Sequence, residues 1–307
     1  MTERDPITGV ETTGHVWDDN IQEFNNPLPR WWLWTFYATV VFAIVYWIIY
    51  PSWPVGNAFI KGVSSISYLK DSGEEVTTHW NTRALLAEEM QTGDSAMVQK
   101  AYLSEIAKSS YEDIAKDADK VAFVESYGNG IFGDYCAVCH QTGAGGVIGA
   151  YPNLIDDDWL WGGKAHEIET TLKHGRLGFM PAYEETFDDT QLTQVANYVL
   201  SMSGEKNDPE LAAAGKEIFH GQTGGCHYCH THEGTGLKSQ GAANLTDKIW
   251  TIADVRGAES DEERLKRVKQ VIHNGVSREM PGWASRLTDT EIKVLTAYLL
   301  NKRAGGQ

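Results

Sequence analysis

Cysteine is scarce in this chain of 307 residues: there are four, and none is left for a disulfide or a separate zinc site. All four sit in two copies of one pentapeptide, Cys136-Ala137-Val138-Cys139-His140 and Cys226-His227-Tyr228-Cys229-His230. Thiolate-bound zinc would need a second cysteine pair near each first one. Basic residues are also few, 26 against 42 acidic ones, for a net charge of −16. That sign argues against a nucleic-acid partner, whose phosphates attract the opposite charge. It suits a soluble portion steered toward a basic partner, or simply a surface kept in solution. Charge is missing altogether between Arg30 and Lys61. No alternating strand pattern of any length is evident, so a mainly helical protein is expected. With 42% hydrophobic residues, compact cores can be built, and the length allows two ordinary domains plus extra segments.

The pentapeptides carry the chemistry. Two thiols three positions apart can each form a thioether to one vinyl group of a haem, and the adjacent histidine then reaches the iron. C-x-x-C-H is the signature of c-type haem attachment. A lone copy is equally compatible with half a zinc site or a thioredoxin-like redox pair. Two copies that consume every cysteine predict two covalent c-type haems, held by Cys136, Cys139 and His140 and by Cys226, Cys229 and His230.

An internal repeat points to the remaining axial ligands. Leu154 precedes Trp159 by five residues, as Leu245 precedes Trp250. Gly175 precedes Met180 by five, as Gly275 precedes Met280; Tyr198 and Tyr298 follow eighteen later. From histidine to methionine the spacing is 40 in the first copy and 50 in the second, the excess lying in a polar stretch around 257–263. Such self-similarity indicates duplicated domains. Met180 and Met280, each followed by a proline that stiffens the backbone, are the expected distal ligands. His/Met coordination raises the haem potential and suits electron transfer over oxygen binding. His174 and His273 are the rivals, weaker because their offsets do not match across the repeat. His15, His79, His166, His220, His227 and His232 read as surface or supporting groups. Trp159 and Trp250 are expected to pack on haem or core, and the Pro152 carbonyl to fix the His140 ring. Ala243 stands at the equivalent place in the second copy.

Helical faces are legible over 117–132, from Asp208-Pro209 onward, over 186–202 and over 287–300. Residues 31–50 form an uncharged, aromatic-flanked run long enough to span a bilayer. The polar, acidic first 30 residues lack the basic region of a signal peptide, so the run is expected to be an uncleaved anchor. The expected organisation is a cytoplasmic tail 1–30, a transmembrane helix 31–51, a periplasmic connector 52–116, and haem domains 117–205 and 206–307. Flanking charges nearly balance; attachment of c-type haem outside the bacterial inner membrane is what puts the domains in the periplasm.

Asn25-Asn26-Pro27-Leu28-Pro29-Arg30-Trp31-Trp32, one anchor, Tyr50-Pro51-Ser52-Trp53-Pro54 and two C-x-x-C-H domains resemble the dihaem subunit of cbb3-type cytochrome c oxidases, the CcoP or FixP family. The resemblance implies one transmembrane helix followed by two tandem class I cytochrome c-like domains. It also implies membership of a proton-pumping oxidase. There the subunit would accept electrons from a donor cytochrome c and pass them, through a monohaem cytochrome c subunit, toward the haem–copper catalytic subunit. The other readings are a free-standing membrane-tethered dihaem carrier, a dihaem peroxidase and a haem-based gas sensor. The last two need an open axial position, against which the matched methionines speak.

Overall fold

The computed structural model describes residues 4–19, 21–70 and 72–305. Residues 1–3 of the expected tail and 306–307 of the expected second domain lie outside the described residues. The chain divides into two compact units, Met1–Gln99 and Lys100–Gln307.

In the first unit, the uncharged run forms α1, Arg30–Ile49, with none of its residues buried in the protein. Its 20 residues rise about 30 Å, the thickness of a bilayer's hydrocarbon core. Tyr46 packs on Tyr50, Trp47 on Trp53 and Tyr50 on Trp80, with ring centroids 4.9–5.0 Å apart. Tyr46, Trp47, Tyr50 and Trp53 are the residues expected to form an interfacial aromatic belt at that end of the anchor. Before α1 lies a hairpin, β1 (Thr12–Trp17) and β2 (Ile21–Phe24). After it come the short pair β3 (Pro54–Val55) and β4 (Ala58–Phe59), and the hairpin β5 (Ser65–Leu69) and β6 (Glu75–His79). The chain is mainly helical, as expected, but these short strands lie where no alternating strand pattern was legible. In β5, Ile66 and Tyr68 alternate with exposed Ser65, Ser67 and Leu69, a period-2 signal only five residues long. Helix α2 (Thr82–Thr92) then starts at Asn81, whose side chain accepts from the Ala84 amide.

Helix α3 (Asp94–Lys108) spans the division at 99/100, and in the second unit α4 (Tyr111–Lys116) leads to α5 (Ala118–Tyr135). Asp117 caps α5, its carboxylate accepting from the amides of Asp119 and Lys120. The first C-x-x-C-H closes in the short turn α6 (Ala137–His140), followed by α7 (Ala165–His174), β7 (Arg176–Met180) and α8 (Asp189–Met202). The second copy runs α9 (Pro209–His220), α10 (His227–His230), α11 (Asp261–Asn274), β8 (Val276–Met280) and α12 (Asp289–Gly305). Pro209 occupies the first turn of α9, where its missing N–H costs nothing. Capping boxes at Asp188/Gln191 and Thr288/Glu291 open the two closing helices.

The two sequence repeats are not the two packing units. One hydrophobic core joins Val124, Ile131 and Phe132 of α5 and Ile168 and Leu172 of α7 to Ile292, Leu295 and Tyr298 of α12. The other joins Leu192, Val195 and Leu200 of α8 to Val268 and Ile272 of α11, with α8 lying along α9. Each repeat therefore lends its closing helix to the other's core. Sequence-local boundaries at 205 and 206 cut both cores. Ile106 and Ile114, expected in the connector, belong to the first core and are fully buried. At the crossing, β7 and β8 pair antiparallel, Arg176 opposite Met280 and Met180 opposite Val276.

Candidate haem sites

The first pentapeptide begins where α5 ends, at Tyr135, and the second follows α9 after the loop 221–225. Backbone bonds from the His140 amide to the Cys136 carbonyl and from the His230 amide to the Cys226 carbonyl, both 2.9 Å, wind the five residues into one turn. That turn sets both sulfurs and the histidine on one side. Nδ1 of His140 lies 3.1 Å from the Pro152 carbonyl oxygen, and Nδ1 of His230 lies 2.9 Å from that of Ala243. A carbonyl only accepts, so Nδ1 carries the proton and Nε2 keeps its lone pair for a metal. The contact recurs without proline in the second copy because the acceptor is backbone. Burial pulls both imidazoles below the ordinary histidine range, opposed in part by these hydrogen bonds, which favours the neutral form that a metal would need.

Burial pushes the Cys136 and Cys226 thiols up to about 11. At neutral pH these two thiols are protonated. All four cysteines are free, and no cluster of three or more metal-binding His, Cys, Asp or Glu side chains occurs among the described residues.

Met180 and Met280 sit at opposite ends of the β7–β8 ribbon, on the same inward face as Gly178 and Arg278. Four residues of strand separate the two ends, about 13 Å. Met280 packs on the first core together with Cys136, Ala137 and Trp283, and Trp283 lies edge-on to Tyr135 at 5.5 Å. Met180 packs on the second core with Tyr183, whose hydroxyl donates to the Gly224 carbonyl at 2.7 Å, two residues before Cys226. The structure thus places Met280 on the core that also holds Cys136 of the first motif, and Met180 on the other core beside Tyr183. Sequence spacing had paired Met180 with His140 and Met280 with His230. The crossover was invisible because both pairings preserve the same offsets.

The glycines five residues before each methionine have a steric reason. Gly175 and Gly275 end α7 and α11 at φ +71° and +67°. A Cβ on Gly175 would meet the Met280 carbonyl oxygen, and one on Gly275 would lie 2.6 Å from that of Met180. The rival His174 is exposed, and Nδ1 of His273 is 2.6 Å from Asn274 Oδ1. Trp159 packs in the first core and donates Nε1–H to the Asp156 carbonyl, while Trp250 packs on the second core. Trp250 Nε1 is buried with no acceptor. An indole N–H can only donate, and a haem, which carries carboxylates, fits that need. The donor sets, the neutral histidines and this orphaned donor together fit a haem at each motif.

Two groups escaped the sequence reading. His220, His227 and His232, expected to be scattered, stack beside the second motif with centroids 4.6–5.9 Å apart. Arg278 donates to the carbonyls of Gly149 and Ala150, tying β8 to the loop after the first motif. Burial lowers its pKa from the ordinary guanidinium value.

Residues 9–57 match the family described as the N-terminal domain of cytochrome oxidase-cbb3, FixP. Residues 125–199 and 210–299 match cytochrome c oxidase, cbb3-type, subunit III. The chain is 38% identical to cbb3-type cytochrome c oxidase subunit FixP of Azorhizobium caulinodans, over 99% of this chain and 96% of the relative. It is 40% identical to FixP of Bradyrhizobium sp. (strain ORS 278), over 97% and 96%. Against subunit CcoP of Cereibacter sphaeroides, identity is 37% over 94% and 93%.

Proposed function

Since the chain belongs to the FixP/CcoP family, subunit III of cbb3-type cytochrome c oxidase, we propose that it is the electron-entry subunit of such an oxidase, with haem sites closed across the repeats. Cys136, Cys139 and His140 hold one c-type haem with Met280; Cys226, Cys229 and His230 hold the other with Met180. The single observation that carries this reading is the ribbon, which delivers each methionine to the opposite core. A haem bound at either site supplies a one-electron ferric–ferrous couple.

The residues around it orient and insulate. Pro152 and Ala243 carbonyls hold the histidine rings, and the matched glycines let the methionine backbone approach. A histidine and a methionine offered to each haem would suit electron transfer over oxygen binding, so reduction of oxygen belongs to a haem–copper partner subunit. A monohaem cytochrome c subunit relays electrons to it, and a donor cytochrome c supplies them. Helix α1 anchors the chain in the bacterial inner membrane, with residues 1–30 cytoplasmic and the haem unit periplasmic.

Mild-detergent purification of the tagged chain, with haem staining and optical spectra, tests this. Copurification of b-type haem, a second c-type subunit and cytochrome c oxidase activity is expected. Elution of the chain alone, with only low-spin c haem, refutes the oxidase assignment.

A further inference from the structure

The β7–β8 ribbon is symmetric in backbone but not in charge. Its inward face carries Arg176, Gly178 and Met180 on one strand and Val276, Arg278 and Met280 on the other. The register puts Arg176 directly opposite Met280, whereas Val276 stands opposite Met180. An exact repeat would have placed an arginine at both ends.

Both guanidinium groups are held by segments of the first repeat. Arg176 donates Nε–H to Thr171 Oγ1 at 2.8 Å and lies 4.9 Å from the centroid of Trp161. Thr171 belongs to α7, which builds the first core. Arg278 donates to the Gly149 and Ala150 carbonyls, next to Tyr151, whose ring is 6.3 Å from that of His140. Neither arginine forms an ion pair with a carboxylate among the described residues. On α11, beside the second core, Arg267 is paired with both Glu263 and Asp254.

A fixed positive charge favours the ferrous state, which carries one positive charge fewer than the ferric state. We propose that Arg176 and Arg278 make the Cys136/Cys139/His140 site the higher-potential of the two, so that an electron entering this subunit at the second site comes to rest at the first. This rests on the haem-binding reading of both motifs. One electron leaves the reduced second site and reduces the first; no bond or proton changes.

The test is a spectroelectrochemical titration of the full-length, haem-loaded subunit. Sites are assigned from chains with Cys136 and Cys139, or Cys226 and Cys229, replaced by Ala. The first site is expected to titrate at the higher potential. R176Q and R278Q should each lower it by about tenfold in electron partition, 59 mV for a one-electron couple, while moving the second site less. R176K should restore it, which a purely structural role for the guanidinium would not predict. Val276→Arg should raise the second site. A first site at or below the second in the parent chain overturns the proposal, as do Gln variants that leave both potentials in place. Fewer than two covalent haems per chain would instead defeat the haem-binding reading, and the proposal with it.

Discussion

Substituting Gly275→Ala tests the crossed architecture at its tightest point. Gly275 ends α11 at φ +67° and ψ −173°, a region open to almost nothing but glycine and costing other residues roughly 1–3 kcal/mol. The new Cβ would also lie 2.6 Å from the Met180 carbonyl oxygen, 2.6 Å from the Ala182 amide nitrogen and 2.8 Å from the Pro181 carbonyl carbon. All three are backbone atoms, so no flexible side chain can yield. Overpacking of this kind adds roughly 1–3 kcal/mol, for a combined loss of about 4 kcal/mol. In a unit of this size each kcal/mol moves Tm by roughly 2–4 °C, so a drop of about 8–16 °C is expected. Calorimetry of the haem-loaded subunit measures it. Because the strain falls on the Met180 strap, the sulfur-to-iron absorption of ferric His/Met haem should also fall by about half, one site of two being lost. A variant melting within about 2 °C of the parent, with that absorption intact, would refute the steric argument.

Three further outcomes are expected. In a chain whose first motif is emptied by Cys136→Ala and Cys139→Ala, Met180→Ala should abolish His/Met absorption and Met280→Ala should spare it; the reverse result would restore pairing within each repeat. A chain ending at residue 205 lacks buried Ile292, Leu295, Tyr298 and Leu287, each worth roughly 1.5–3 kcal/mol. That loss is comparable to the whole stability of an ordinary domain, so limited proteolysis should find the first repeat unfolded; a protease-resistant core would contradict the shared packing. Asp158 is pushed up to about 6, first by burial and then by the carboxylates of Asp247 and Asp156. Its folded form binds its proton more tightly than the unfolded chain, so stability should fall as pH rises from about 4 to about 6. Asp158→Asn should remove that slope and stabilise the protein above pH 6 by about 1–2 kcal/mol, discounted for its partial exposure. Identical melting curves across that pH range would count against it.

Much of the chemistry was written in local sequence. The haem-attachment motifs are five contiguous residues, and their geometry is a single helical turn. The anchor declares itself through 20 residues without internal charge, and the capped helices through Asp117, Asp188, Asp208 and Thr288. The hairpins were not legible. Strands of two to six residues give too few periods to stand out, and the inward face of the β7–β8 ribbon is Arg, Gly, Met and Val rather than an apolar row. Offsets within a repeat also cannot say which core a strand joins. They mark Met180 and Met280 as equivalent whether the repeats close on themselves or on each other.

The sequence by itself therefore determined the two C-x-x-C-H motifs, the four candidate ligands and the membrane-length apolar helix, because each depends on neighbours along the chain. Only the tertiary structure decided that α12 completes the first core and α8 the second, and so which core each methionine packs on. That choice rests on burying closing-helix side chains such as Leu200 and Tyr298 in cores built by distant segments, and on ten ribbon residues pairing across a hundred positions of chain. Such burial and pairing are free energies of long-range contact, to which no local pattern is sensitive.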